Sequence, residues 1–132
     1  DKANIEWMKA AFAEARAKNA PGIVLAWQGE PGFDLPDTEE VDERADPKSS
    51  GYTNFLNALV METEKFSGQV LIAHGEVHAF KVDKPLYSPS KVLPNLTRVQ
   101  TFGSPLIHWV KVKVDPNSSE VFTINPVIVT QK

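Results

Sequence analysis

Apolar residues recur at helical spacing in two segments of the chain. The first pattern predicts an amphipathic helix over residues 5–16, which Asn19 to Gly22 end. The second predicts a helix over residues 52–66, closed by Ser67-Gly68. The predicted buried sides comprise Ile5, Met8, Phe12 and Ala15 in the first helix and Tyr52, Phe55, Leu56, Leu59, Val60, Thr63 and Phe66 in the second.

Each predicted helix is followed by a short, continuous apolar run. Gly22–Trp27 and Gln69–Ala73 are typical of strands that are buried on both faces. A strand, a helix and a second strand form a crossover unit, in which the strands pair in parallel through a right-handed connection. The first half of the pattern therefore predicts an α/β fold.

The pattern changes after His74. Strand-like runs separated by Pro, Asn, Ser and Gly clusters predict an antiparallel series, namely Ala79–Val82, Arg98–Phe102, Ile107–Val114 and Val121–Val129. Alternation in the third run places Val110, Val112 and Val114 on one face with Leu106 and His108, and Trp109, Lys111 and Lys113 on the other. We expect the valine face to belong to the core.

Composition limits the possible functions. The 132 residues suffice for one domain, so we expect residues 1–132 to form a single unit. A net charge of −3 without a basic face argues against nucleic acid as a partner, and the apolar runs are too short to cross a membrane. The absence of cysteine excludes disulfides and thiolate metal sites. The compartment stays open, with the bacterial periplasm or secretion among the options.

Residues 30–50 form a long polar segment that carries eight carboxylates and three prolines. An acidic cation site is one interpretation of this segment. A solvated surface loop is the interpretation that we favour, because runs of charge usually lie on the surface.

The most informative segment is His74-Gly75-Glu76-Val77-His78, where a predicted buried strand ends. Ligands collect at the carboxyl ends of strands in α/β sheets. In an extended chain Glu76 and His78 would lie about 6–7 Å apart on one face, within reach of one metal ion or two adjacent ones. His74 would need a sharp bend at Gly75 to share that metal, so we place it beside the ligands rather than among them.

The order of elements and the stretch Gly75-Glu76-Val77-His78-Ala79-Phe80 resemble the C-terminal half of a calcineurin-like metallophosphoesterase. In that family one strand ends in a metal-binding His shortly before a Pro, and the next closes with Gly-His-x-His. Gln28 stands in the first position, and Glu76 and His78 stand in the closing pair. A bacterial subgroup with Gly-Asp-x-His is similar, and Glu76 lengthens that carboxylate by one methylene.

This resemblance implies a four-layer α-β-β-α sandwich of which the chain is the C-terminal part. It also implies a divalent metal cofactor, with His78, Glu76 and Gln28 as metal ligands. Because Gln28 and Glu76 replace imidazoles at the second metal, we expect a single or degenerate site. The family's Asp-x-His, Gly-Asp-x-x-Asp and Gly-Asn-His motifs have no counterpart here, so we expect them before Asp1.

The sequence is compatible with three functions. The first is a metal-dependent phosphoester hydrolase, inactive as this fragment alone, that acts on a phosphorylated small molecule or another phosphoester. The second is a degenerate, non-catalytic binding or structural domain of the same fold. The third is a self-sufficient small module, which the apolar strands disfavour, because they require a cover such as the missing N-terminal half or a second copy.

The other candidates are residues for which we favour a structural role. His108 is expected to be a hydrogen-bonded core histidine, and Trp7 and Trp27 to be core residues with Phe12 and Phe66. Lys81, Asp83 and Lys84 could contact a phosphate, but we favour a solvated edge strand. Asn95-Leu96-Thr97 and Asn117-Ser118-Ser119 fit the glycosylation pattern, as many loops do by chance.

Overall fold

The computed structural model describes residues 2–31, 51–88 and 91–130. Two helices and eight strands lie in these ranges. In chain order the elements are α1 Lys2–Ala17, β1 Gly22–Ala26, α2 Thr53–Glu64, β2 Gln69–His74, β3 Lys81–Asp83, β4 Tyr87–Ser88, β5 Lys91–Val92, β6 Leu96–Gln100, β7 Trp109–Val114 and β8 Phe122–Val127. The acidic segment lies, apart from Glu30 and Pro31, outside the described residues.

A four-stranded mixed sheet organises the fold, in the order β1-β2-β6-β3. Strand β1 precedes α2 in the chain and strand β2 follows it. The two strands pair in parallel, which confirms the predicted crossover unit. Strand β6 also runs parallel to β2, whereas β3 pairs antiparallel with β6. The prediction of a purely antiparallel series after His74 is therefore wrong for β6, which begins at the same end of the sheet as β2.

Both helices pack on one face of this sheet. The register aligns Ile23 with Val70 and Val70 with Leu96, so these three side chains point to the same side. They join the helices in a single hydrophobic core, whose buried members are Met8, Phe12, Leu25, Leu56, Ala58, Leu59, Phe66, Val70, Ile72, Leu86, Leu93 and Leu96. The helical spacing predicted five of these twelve residues, namely Met8, Phe12, Leu56, Leu59 and Phe66.

The contact between α1 and α2 combines aromatic and ionic interactions. Phe12 meets Phe66 edge to face, with ring centroids 5.7 Å apart. Glu62 is buried and accepts a hydrogen bond of 2.8 Å from Arg16. Trp7, expected in the core, is 71% exposed, because its position is about 100° around the helix from that of the buried Met8.

The opposite face of the sheet is unevenly covered. Strand β2 is buried on both sides, since Val70, Leu71 and Ile72 are each at most 1% exposed. Strand β1 was expected to be the same, but Val24 is 49% exposed at the sheet edge. Val82 of β3, at the other edge, is 44% exposed. Apolar side chains thus remain accessible at both edges.

Strands β7 and β8 form a separate antiparallel hairpin. The register aligns Val112 with Ile124 and Val114 with Phe122, which confirms that the valines share one face. The expectation that this face belongs to the core is wrong within the described residues, because Val112 is 37% and Val114 62% exposed. None of the helices in the described ranges is both long and apolar enough to cross a membrane.

Candidate functional site

The candidate site lies where the parallel strands β1, β2 and β6 end. Because their carboxyl ends meet at one edge of the sheet, the segments after Ala26, His74 and Gln100 are neighbours. Gln28 lies directly beside the loop that begins at Gly75: a Cβ on Gly75 would lie 3.4 Å from Gln28 Nε2 and 3.6 Å from Thr101 Oγ1. The structure therefore places Gln28 next to the loop that carries Glu76 and His78.

The loop after β2 is not extended. Glu76 has φ 73° and His78 has φ 65°, so both residues adopt the left-handed conformation that side chains other than glycine rarely occupy. The simple alternation that was expected to set Glu76 and His78 on one face does not apply to this backbone. Strained residues persist only where surrounding contacts hold them, and they are concentrated at binding and catalytic sites.

His78 is held by the loop that follows β6. Its Nδ1 lies 2.8 Å from the carbonyl oxygen of Ser104. A carbonyl oxygen only accepts hydrogen bonds, so Nδ1 carries a proton, and in the neutral form of the ring the lone pair is on Nε2. The ring also packs against Gly103, where any added Cβ would overlap it. His78 as a whole residue is exposed, and the Cδ2–Nε2 edge of its ring lies beside Gly103.

The arrangement of His78 is the one that metal-binding histidines adopt. Such residues donate the N–H of one ring nitrogen to a carbonyl or carboxylate and bind the metal through the other. Glu76, an exposed carboxylate, and Gln28, an exposed amide, carry oxygen atoms in the same region. In the described part of the chain no group of three or more His, Asp or Glu side chains could hold a metal ion. His78 fits a metal, and the described carboxylates and imidazoles do not complete a ligand set.

His74 lies on the helix-covered face of the sheet. Its side chain is fully buried, and its ring stacks on Trp27 at an angle of 11° with centroids 6.1 Å apart. Nδ1 lies 3.3 Å from the Gly75 carbonyl oxygen and 3.6 Å from a carboxylate oxygen of Glu30. These contacts connect the end of β2 to Trp27 and Glu30, which follow β1 and flank Gln28.

The charged residues at the end of β3, Asp83 and Lys84, take part in structural contacts with β6 and the segment before it. Arg98 is completely buried and forms a paired contact with the carboxylate of Asp83, with 2.7 Å between Nε and Oδ1. Lys84 donates to the carbonyl oxygens of Pro94 and Leu96 and to the hydroxyl of Thr97. The structural role that we favoured for Asp83 and Lys84 agrees with these contacts, although they form a cross-strand network rather than a solvated edge.

The remaining candidates also find structural explanations. The Asn95 amide donates to the carbonyl oxygens of Thr63, Phe66 and Gly68, which ties β6 to the end of α2. His108 precedes β7, and its Nδ1 accepts the backbone N–H of Val129 at 3.2 Å. Asn117 is exposed in the turn between β7 and β8.

Sequence reasoning missed the residues that hold His78. Gly103-Ser104-Pro105 is a recognisable turn signal, but nothing in the spacing shows that its carbonyl oxygen meets a ring 26 residues away. It also missed the aromatic cluster of Phe80, Phe102 and His108, in which consecutive ring centroids are 5.2 Å apart. No family model, curated protein or solved structure matches this chain.

Proposed function

We propose that the chain is the C-terminal part of a metallophosphoesterase-like hydrolase, in which His78 binds a divalent metal ion through Nε2. The observation that carries the proposal is the hydrogen bond between His78 Nδ1 and the Ser104 carbonyl oxygen. In a neutral ring it fixes the tautomer in which Nε2 carries the lone pair that a metal ion requires. The resemblance of the loop Gly75-Glu76-Val77-His78 to the family's closing motif supports the same assignment.

The chain's own residues would prepare such a site in three ways. The Ser104 carbonyl oxygen orients the His78 ring, Glu76 supplies a hard carboxylate, and Gln28 supplies a neutral amide oxygen. A bound divalent metal supplies an activated water and stabilises charge on a phosphoester oxygen. Further ligands would come from outside the described residues, in keeping with the family's upstream motifs.

The uncovered apolar surfaces support the proposed four-layer sandwich. Val24 and Val82, at the two edges of the partly covered face of the sheet, and Val112 and Val114 on the hairpin, are side chains that a second sheet layer would bury. The face that carries α1 and α2 would then be an outer helix layer.

The test is a metal analysis and a hydrolysis assay on the longest natural chain that contains residues 1–132. Metal content and the hydrolysis of a phosphomonoester and a phosphodiester would be compared among the wild type, His78→Ala and His108→Ala. We expect His78→Ala to lose metal and activity while His108→Ala keeps both. Full metal content and unchanged hydrolysis in His78→Ala would contradict the proposal.

A degenerate, non-catalytic domain of the same fold is the second candidate. Gln28 and Glu76 favour it, because an amide and a carboxylate replace two imidazole positions in the resemblance. This candidate predicts that the longest natural chain retains no divalent metal after purification and hydrolyses neither substrate. Retained metal with His78-dependent hydrolysis would exclude it.

A further inference from the structure

Gln100, the last residue of β6, is a buried glutamine at the edge of the candidate site. It is 1% exposed, and the register of the sheet aligns it with His74 at the end of β2. Its Nε2 donates a hydrogen bond of 2.7 Å to the carbonyl oxygen of Ala79. Ala79 directly follows His78 in the chain, so this bond holds the loop on the far side of the proposed metal ligand.

Two backbone groups of the same segment hold the rest of the loop. The N–H of Thr101 donates to the carbonyl oxygen of His74 at 2.9 Å, where β2 ends. The carbonyl oxygen of Ser104 accepts from the His78 ring. With the bond from Gln100, residues 100–104 therefore contact the loop before His78, at its ring and after it. Only Gln100 contributes a side chain from this segment, so a substitution can remove its contact and leave the other two groups in place.

The Gln100 amide is an unfavourable way to fill a buried position. Its Oε1 is buried and has no hydrogen-bond donor in the described ranges of the chain. A buried polar atom without a partner is destabilising, and an apolar side chain of the same shape would avoid that loss. The left-handed backbone at Glu76 and His78 is also unfavourable and needs contacts that hold it. Both features concern the same loop, which indicates that the amide serves to fix the loop rather than to stabilise the sheet.

We propose that Gln100 is a positioning residue of the candidate site. Its bond to Ala79 keeps the His78 backbone in the left-handed conformation, from which the ring reaches the Ser104 carbonyl oxygen. That hydrogen bond sets the tautomer in which Nε2 of the neutral ring can bind a metal ion. The effect on the ring follows from the contacts of Gln100, and its consequence for metal binding rests on the function proposed above.

The experiment uses Gln100→Met, which keeps the length of the side chain and removes the donor. Gln69→Met is the matched control, because Gln69 begins β2 at the opposite end of the sheet and its Nε2 also donates to a backbone carbonyl oxygen, that of Ser119, at 3.1 Å. Two readouts are taken on the 132-residue chain at about pH 8, where an ordinary histidine is neutral. The first is the tautomer of each histidine ring, from ¹H–¹⁵N spectra of the ring nitrogens. The second is the Mn²⁺ concentration at which the His78 signals are half broadened.

In the wild type we expect the proton of the neutral His78 ring on Nδ1. Gln100→Met should move it to Nε2, the nitrogen that a neutral imidazole without such a contact prefers. It should also raise the Mn²⁺ midpoint about tenfold, the low end for groups that orient a metal ligand. Gln69→Met should change neither readout. Gln100→Asn, which is one methylene too short to reach Ala79, should act as Gln100→Met does and replaces it if that variant does not fold.

An unchanged His78 tautomer in folded Gln100→Met or Gln100→Asn, or an equal change in Gln69→Met, would overturn the positioning role. If Gln100→Met moves the proton but Mn²⁺ spares His78 even in the wild type, the positioning role stands and the metal function fails. If Mn²⁺ broadens His78 selectively and Gln100→Met alters neither readout, the metal function stands and the positioning role fails.

Discussion

Val70 and Ile72 in the helix-covered sheet, and Val112 and Val114 in the β7–β8 hairpin, are pairs of apolar residues two positions apart, yet only the first pair is buried. Val70 and Ile72 of β2 are almost completely inaccessible because α1 and α2 cover them. Val112 and Val114 share a face as regularly, and that face is largely exposed. Alternation therefore shows which side chains point the same way, and it does not show whether another layer lies on top of them.

The largest expected effect is the loss of an aromatic ring from the covered side. Phe12→Ala should lower the free energy of unfolding by about 3–5 kcal/mol, because the fully buried ring packs against Phe66 and little can fill its space. Trp7→Ala, on the same helix but exposed, should cost less than about 1 kcal/mol. Denaturant unfolding of both variants measures the difference. Equal losses of unfolding free energy in the two variants would show that the exposure of these side chains does not determine how much they stabilise the fold.

The buried ion pair of β3 and β6 should give the next largest effect. Asp83→Ala should cost about 3 kcal/mol, the low end for buried pairs, because Asp83 keeps 31% of its side chain exposed while the guanidinium of Arg98 stays buried. Replacing both residues, as Asp83→Ala with Arg98→Met, should recover most of this loss. A double variant no more stable than Asp83→Ala in denaturant unfolding would show that the charge of Arg98 is not the cause.

Glu62 offers a test that depends on pH. Burial raises the pKa of its carboxyl group, but the hydrogen bond and charge of Arg16 and the charge of Lys65 outweigh burial, so the pKa lies below the ordinary 4.5. The stabilisation is therefore present above pH 4.5 and is lost as the pH falls through the lowered pKa. Glu62→Gln should cost about 1–3 kcal/mol at neutral pH, because the glutamine can still accept a hydrogen bond from Arg16 but without the negative charge that strengthens it.

Unfolding measured from pH 7 downward should show the difference between wild type and Glu62→Gln shrinking below pH 4.5. Glu14→Gln is the matched control. The pKa of Glu14 is also lowered, through a hydrogen bond from Lys18, but the pair is fully exposed and should contribute no measurable stability. A difference for Glu62→Gln that stays constant with pH would contradict the assigned ionic contribution.

The smallest effect is expected on the hairpin. Val114→Thr should change the free energy of unfolding of the 132-residue chain by less than about 0.5 kcal/mol, because the valine is 62% exposed. Val70→Thr, on the covered face, is the matched substitution and should cost well over that amount. If Val114→Thr proves as costly as Val70→Thr, a cover lies on the hairpin in solution.

The local elements could be predicted from the sequence, and the relations between distant segments could not. The patterns around Phe12 and Leu59 predicted both helices, because a helix needs only neighbours three or four residues away. The parallel pairing of β6 with β2 depends on the path of the chain between the two strands, which no local sequence pattern determines. The left-handed backbone at Glu76 and His78 was also missed. The His78 ring contacts Gly103 and Ser104, which are distant in the sequence, so no local pattern indicates this conformation.

The central claim is that His78 presents Nε2 to a metal ion, and the ring signals of the three histidines test it most directly. Mn²⁺ would be titrated into the 132-residue chain while the His74, His78 and His108 ring resonances are followed by NMR. We predict that the His78 signals broaden first, and that Gly103→Ala, which displaces the ring, removes this selectivity. Broadening that begins at His108 or His74, or that spares His78, would contradict the claim.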